Sequence, residues 1–413
     1  MLMVTTYLPV LHNNLPPIIR SHHIWTPIWL VSLVIFAPDT LRNKLFLFVI
    51  FFFTFLVFIL NKTLWVGLYD WHKEHALGEL YIFVIAFSLW AYFFGHRDFI
   101  GMAQIAKWSL IFIGITALLS IYSSFHDPMY ARKLTGGILE TDIERFGGGA
   151  YGLAGSLLCL FPILIYYYRK NPNRHKFLII VFTVICFISV VRMQIFANII
   201  VSIIIILFSL AGRKRLRKSI ITTIVLFLAF IIIPNQSYSV LLKYLSDLFE
   251  TNSENYLKIT DLSEYLVIGG YEGMTGGRLA RYPLLLKSFV ANPLLGHFHT
   301  NIVTNIQEGA HLYWMNKLTI YGIIGFIPYL AIYYYQIKRN IKYYDSEYTF
   351  YYLMSVASII VLGFFKNLAG RELFYMLFFI LPSLYFLPLN ISPKQSLIKK
   401  RSYYTIRFRN QYI

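Results

Sequence analysis

Charge is scarce in this chain: of 413 residues only 14% are Asp, Glu, Lys or Arg, where an ordinary soluble domain carries roughly 25%. A soluble globular fold is thereby excluded. Acidic side chains are the scarcer kind, 19 against 37 basic ones, for a formal charge of +18. In a soluble protein that excess would point to nucleic acid. In a membrane protein Lys and Arg first serve to hold loops in the cytoplasm, so only basic residues outside such loops are informative. Cysteine is nearly absent: Cys159 and Cys186 each lie inside an apolar block, with no CxxC spacing and no further zinc ligands, and read as small core side chains. The first 23 residues lack a single apolar run, being broken by His12-Asn13-Asn14 and Ser21-His22-His23, so no cleavable signal peptide is expected and the first spans target the chain. No internal repeat is apparent, which weakens any transporter built on inverted halves.

Present in their place is hydrophobicity: 57% of residues are apolar, gathered in blocks such as Leu45 to Leu60 and Leu373 to Leu389. Each block is near the roughly 17 to 25 residues that cross a bilayer as a helix. Between Leu47 and Phe58 every position but Thr54 is apolar, so the alternation of a β-barrel strand is missing. Spans are expected near 25–38, 44–60, 79–95, 104–124, 150–168, 177–191, 195–211, 219–234, 312–336, 349–366 and 372–389, about eleven helices. The basic stretches 169–176, 213–218, 338–342 and 399–401 fall on one side of this scheme, the cytoplasm. Segments 61–78, 125–148, the Arg192 tip, 235–311 and 367–371 fall outside. The expected fold is thus all-α, a polytopic transmembrane bundle spanning 1–413 as one domain with 235–311 as a large outer loop. Loops that long are usually functional or carry their own structure. Val240, Leu241, Tyr244, Leu245 and Leu248 fall at helical spacing, opposite Lys243, Asp247 and Glu250, and predict an amphipathic helix on the membrane surface. Arg281 to Val290 repeats the pattern until Asn292-Pro293 stops it.

Outward-facing basic residues oppose that topology, yet Arg132, Lys133, Arg145, Arg192, Arg278, Arg281, Lys366 and Arg371 all lie at outer loops or span ends. Snorkelling to lipid phosphates explains most single arginines there. The set as a whole points to an anion, for which the planar guanidinium fork is well suited. Arg192 interrupts an apolar stretch with no turn residues around it, so the chain either reverses at the charge or buries it near the outer surface. Arginine is also coupled twice to glycine, in Arg145-Phe146-Gly147-Gly148-Gly149 and in Gly273-Met274-Thr275-Gly276-Gly277-Arg278, suggesting two turns whose NH groups face an anion. His297, His299 and His311, with Glu272 and Glu308, are the candidate acid–base groups on that side. His297-x-His299 lacks a third ligand at metal spacing, so no metal and no cofactor are expected.

Thr275-Gly276-Gly277-Arg278, Asn292-Pro293-Leu294-Leu295-Gly296, His311 and Tyr321-Gly322-Ile323-Ile324-Gly325, in that order, resemble the bacterial O-antigen polymerase (Wzy-type) and O-antigen ligase superfamily. The matched stretch covers roughly 275–330. Elsewhere the likeness is topological, many spans with one large late periplasmic loop. Leu312 follows His311 where the family commonly has Asn, and both polymerase and ligase remain open. The resemblance implies a GT-C-like, metal-independent glycosyltransferase of the inner membrane whose active site faces the periplasm. Its substrate would be an oligosaccharide on undecaprenyl pyrophosphate, its surroundings membrane lipids, and a chain-length regulator a candidate further partner.

In such a transfer the departing pyrophosphate needs its charge neutralised more than it needs an acid. Arg278 and Arg281, with Arg145, Arg192, Gly276 and Gly277, are the expected pyrophosphate-binding residues. Arg278, Arg281 and His311 are the expected catalytic ones, His311 or a loop carboxylate orienting or deprotonating the attacking hydroxyl. A polymerase would transfer the growing chain onto a new lipid-linked repeat, and a ligase onto a lipid A core. A flippase or exporter of the same lipid-linked sugars is the rival from another class, and its mark would be charges deep within spans on both halves of the chain.

Overall fold

The computed structural model describes residues 5–64, 71–127, 130–136, 148–170, 173–193, 195–232, 235–249, 251, 254–268, 274–296, 312–368 and 370–387. Among these the regular structure is helical throughout, with no strand. The main helices are α1 (His22–Phe36), α2 (Lys44–Leu64), α3 (Trp71–His96), α4 (Phe99–His126), α5 (Tyr151–Lys170), α6 (Asn173–Arg192) and α7 (Phe196–Ile232). They continue with α8 (Asn235–Ser246), α9 (Glu254–Ile268), α10 (Met274–Ala291), α11 (Tyr313–Ile341), α12 (Ser346–Phe365) and the composite α13 over 371–384. Among the described residues seven stretches are long and apolar enough to cross a membrane: Gly78–His96, Phe99–His126, Tyr151–Lys170, His175–Arg192, Ala197–Arg215, Tyr313–Ile341 and Ser346–Phe365. The apolar parts of α1 and α2, Ile24–Phe36 and Lys44–Leu56, are shorter. α7 is two helices rather than one, because Gly212 sits at φ +72° between the apolar run and the basic cluster that follows it.

α5 is the centre of the bundle, buried at every position from Gly152 to Tyr167, with α6, α7, α12 and α13 packed around it. Its first turns carry Gly152, Ala154, Gly155 and Ser156, and small side chains let neighbouring backbones approach where lipid offers no hydrophobic gain. α13 uses that space: its first turn brings Gly370 against Gly152 and Leu373 against Gly155. Its middle is a π-helical turn, Met376–Ile380, every residue of which is buried. α4 buries a similar face of Ala103, Ala106, Ser109, Ala117 and Ser120.

The contacts sort the helix ends into two groups. At one end Lys170 pairs with Glu347 at 2.8 Å, Arg169 donates to the Leu210 carbonyl, and Arg339 donates to Asn43 at 2.7 Å. Arg169 thus reaches the helix that leads into the basic stretch 213–218, and Lys170 the start of the helix that follows 338–342, while 399–401 lies outside the described residues. At the other end Arg192 stacks on Phe125, Lys366 on Tyr151, and Arg371 contacts His12.

The large loop is richer than expected. α8 matches the predicted amphipathic helix and leaves Val240, Leu241, Tyr244, Leu245 and Leu248 exposed along it, as a helix lying on lipid would. α9, which periodicity did not suggest, pairs with α8 as a helical hairpin closed by the Ser239 and Ser263 hydroxyls, 2.8 Å apart. α10 starts at Met274, so Gly276 and Gly277 lie in its first turn and not in a glycine turn ahead of it. Packing against α9 and α11 outweighs their poor helix propensity, roughly 1 kcal/mol each.

Candidate functional site

Two of the recognised sequence segments interlock. The helix of α11 breaks at Gly322, with φ +57° and ψ −175°, which frees the NH groups of the following residues from the helical ladder. The turn after α10 takes them up: Ile323 NH donates to the Pro293 carbonyl at 2.9 Å and Ile324 NH to the Leu294 carbonyl at 3.1 Å. Gly296, at φ +70°, lies against the break so closely that a Cβ on either glycine would collide with backbone atoms of the other segment. Thus 292–296 and 321–325 form one backbone joint. Further along, Thr319 bonds the Leu285 carbonyl at 3.3 Å, and the Tyr282 hydroxyl donates to the Phe364 carbonyl. Burial pushes the Tyr282 phenol above its ordinary pKa.

This joint seats α10, and α10 carries both expected arginines. Arg281 is half-buried, and its Nη1 is buried with no hydrogen-bond partner among the described residues. A guanidinium has only donors, and an orphaned one inside a protein calls for an acceptor from elsewhere. Arg278, Gly276 and Gly277 lie on the same helix, Arg278 one turn before Arg281. The first NH groups of a helix have no acceptor within it, and Gly276 and Gly277 belong to the first turn of this one. Arg145, His297, His299, His311, Glu272 and Glu308 lie outside the described residues.

The first glycine run has another use. Gly148 NH donates to Ser123 Oγ at 3.2 Å and Gly149 NH to Ser120 Oγ at 2.9 Å, while the Tyr130 hydroxyl donates to the Gly149 carbonyl at 3.2 Å. Burial raises the Tyr130 phenol too. Those two NH groups are committed to holding the loop on α4, where a Cβ on Gly148 would strike the Ser120 backbone. Arg192 ends α6 with its guanidinium 4.4 Å from the centre of the Phe125 ring, a cation–π contact between two helix ends. Lys133 pairs with Asp127 at 2.6 Å. Lys366 is 6% exposed with its ammonium 3.9 Å from the Tyr151 ring, and its carbonyl accepts from Tyr313 NH at the start of α11. Arg371 lies 2.9 Å from His12 Nε2 and 4.0 Å from the Glu372 carboxylate.

Sequence reasoning missed a further charged pair. Lys317 on α11 meets Glu79 on α3 at 2.6 Å, both side chains largely buried, and Tyr321 bonds to both. The signal was legible, since both residues lie within expected spans, where an ionisable group is a functional candidate by default. Among the described residues no group of three or more His, Cys, Asp or Glu is placed to hold a metal ion.

No family model matches the chain, and a comparison with curated proteins finds no significant match.

Proposed function

We propose that this chain is a polysaccharide polymerase of the bacterial inner membrane. In this reading about eleven helices span the bilayer, the Arg192, Lys366 and Arg371 end faces the periplasm, and 235–311 is the periplasmic loop. The enzyme transfers a growing glycan from undecaprenyl pyrophosphate onto the sugar of a new lipid-linked repeat. The acceptor hydroxyl attacks the anomeric carbon, the bond to the pyrophosphate oxygen breaks, and the hydroxyl proton passes to a base, for which His311 is the candidate.

The observation that carries the reading is Nη1 of Arg281, buried with no hydrogen-bond partner among the described residues, on a helix that the backbone joint holds in place and whose first turn carries Gly276 and Gly277. It supports an anion at that place, and a pyrophosphate leaving group is the anion such a transfer must stabilise. Gly276 and Gly277 supply backbone donors, and Arg278 a second guanidinium one turn away. Arg145 and Arg192 are the proposed contacts to the second lipid-linked substrate.

A flippase for the same sugars is favoured by one observation, the ion pair buried between α3 and α11. Deleting the gene and running the surface polysaccharide on a gel separates the readings. Loss of long chains with a single capped repeat retained is the expected result. Loss of every repeat would point to the flippase or to a ligase acting on lipid A core.

A further inference from the structure

Charge inside an apolar bundle is costly, and Glu79 and Lys317 meet that cost together. Lys317 Nζ lies 2.6 Å from Glu79 Oε1, with the two side chains 13% and 14% exposed. Tyr321 closes a triangle, its hydroxyl accepting from Lys317 at 3.0 Å and donating to Glu79 Oε2 at 3.3 Å. The rings of Tyr313, Tyr321 and Tyr329 surround the ammonium at 4.9 to 5.6 Å. Three Tyr rings thus pack around the pair, and those rings are themselves buried, so none offers an open face for a sugar to stack on.

Such a pair does little for stability, because apolar residues of similar volume usually serve as well or better. What it does supply is position. Tyr321 immediately precedes the break at Gly322, and the break is what receives the turn ending α10. Glu79 belongs to α3, which packs against α2 and α13, and α2 packs against α11 as well. The pair therefore pins the outer turns of α11 to the body of the bundle just before the joint that seats α10. We propose that Glu79 and Lys317 are positioning residues: through Tyr321 and the Gly296–Gly322 joint they set where α10 holds Arg281, and neither touches the substrate. The inference rests on the polymerase reading, since its readout is chain growth.

The test uses the purified full-length chain in detergent with a synthetic lipid-pyrophosphate-linked repeat, and Arg281→Ala as reference. Glu79→Gln/Lys317→Met together should leave protein level and melting temperature near those of the unaltered chain. Turnover should fall tenfold to a hundredfold, on the order of the loss caused by a small misplacement, with KM little changed. The exchange Glu79→Lys/Lys317→Glu should recover most of that turnover, because a positioning pair works in either order. Full turnover in the neutral double variant, with Arg281→Ala inactive, would overturn this inference and leave the polymerase reading standing. Full turnover in both would overturn this inference and the anion role of Arg281 with it, whereas an unaltered chain that leaves the repeat unextended would overturn the polymerase reading. A folded exchange variant as slow as the neutral one would show that residue 79 must itself be a carboxylate, and would also overturn the positioning role. Should the exchange variant fail to fold, the neutral double variant still decides.

Discussion

Arg281→Met is expected to slow chain growth about a hundredfold while the protein melts at the same temperature or slightly higher. Losing one charge-assisted bond that strengthens in the transition state typically costs about 3 kcal/mol, on the order of a hundredfold in rate. The stability sign follows from burial. Nη1 of Arg281 has no described partner, so removing the guanidinium relieves an unsatisfied donor, while the Met side chain keeps much of the apolar stem. Arg278→Ala should likewise abolish long chains at normal protein level, and Arg278→Lys should rescue poorly, because an ammonium is a point charge and cannot reproduce a bidentate fork. The measurement is the polysaccharide ladder from a deletion strain carrying each variant at matched expression, together with a melting curve of the purified variants. A full-length ladder from both Arg281→Met and Arg278→Ala would move the search for the anion site to Arg145 and Arg192.

Gly322→Ala is expected to lower both activity and stability. At φ +57° and ψ −175° the residue lies where only glycine is at ease, and any other residue costs roughly 1 to 3 kcal/mol. The new methyl would also press on the Leu294 carbonyl and Gly296 NH, forcing the joint apart. Gly296→Ala meets the Ile320 carbonyl and Gly322 NH and should behave alike. Because each substitution opens the same contact, the double variant should cost less than the sum of the two. Gly95→Ala on α3 is the control: no atom lies within 4 Å of its Cβ, and the change should be neutral or stabilise by roughly 0.5 to 1 kcal/mol. Melting temperature and ladder length read both effects, and a wild-type ladder from Gly322→Ala would show that the joint does not matter to function.

Much of the architecture was legible because membrane helices announce themselves by length and apolarity. The basic stretch around Arg169 was expected beside the one after Leu210, and Arg169 does reach the Leu210 carbonyl at the end of that helix, while Lys170 pairs with Glu347 at the start of α12. α8 was legible because Val240, Leu241, Tyr244 and Leu245 keep one face of it. α9 did not, because Glu254–Ile268 interleaves Lys258, Asp261, Ser263 and Glu264 with its apolar residues and shows no clear stripe. Glycine was harder to read. Gly147-Gly148-Gly149 looked like an anion turn, but two of its NH groups are spent on Ser120 and Ser123, a use that depends on which helix packs alongside. The reverse holds at Gly296 and Gly322, whose segments were recognised by their order while their contact was not. Glu79 and Lys317 show the same limit: each charge could be seen, but nothing local says that α3 and α11 are neighbours.

The central claim is catalytic, and one assay bears on it directly. The purified chain, supplied with a synthetic repeat unit on a polyprenyl pyrophosphate and excess chelator, should produce a ladder of lengthening lipid-linked glycans. One polyprenyl pyrophosphate should be released for each repeat added. A folded, monodisperse preparation that leaves the repeat unit unextended would contradict the account. So would extension that stops in chelator and returns with a divalent ion, because arginine and backbone NH groups would then not suffice for the leaving group.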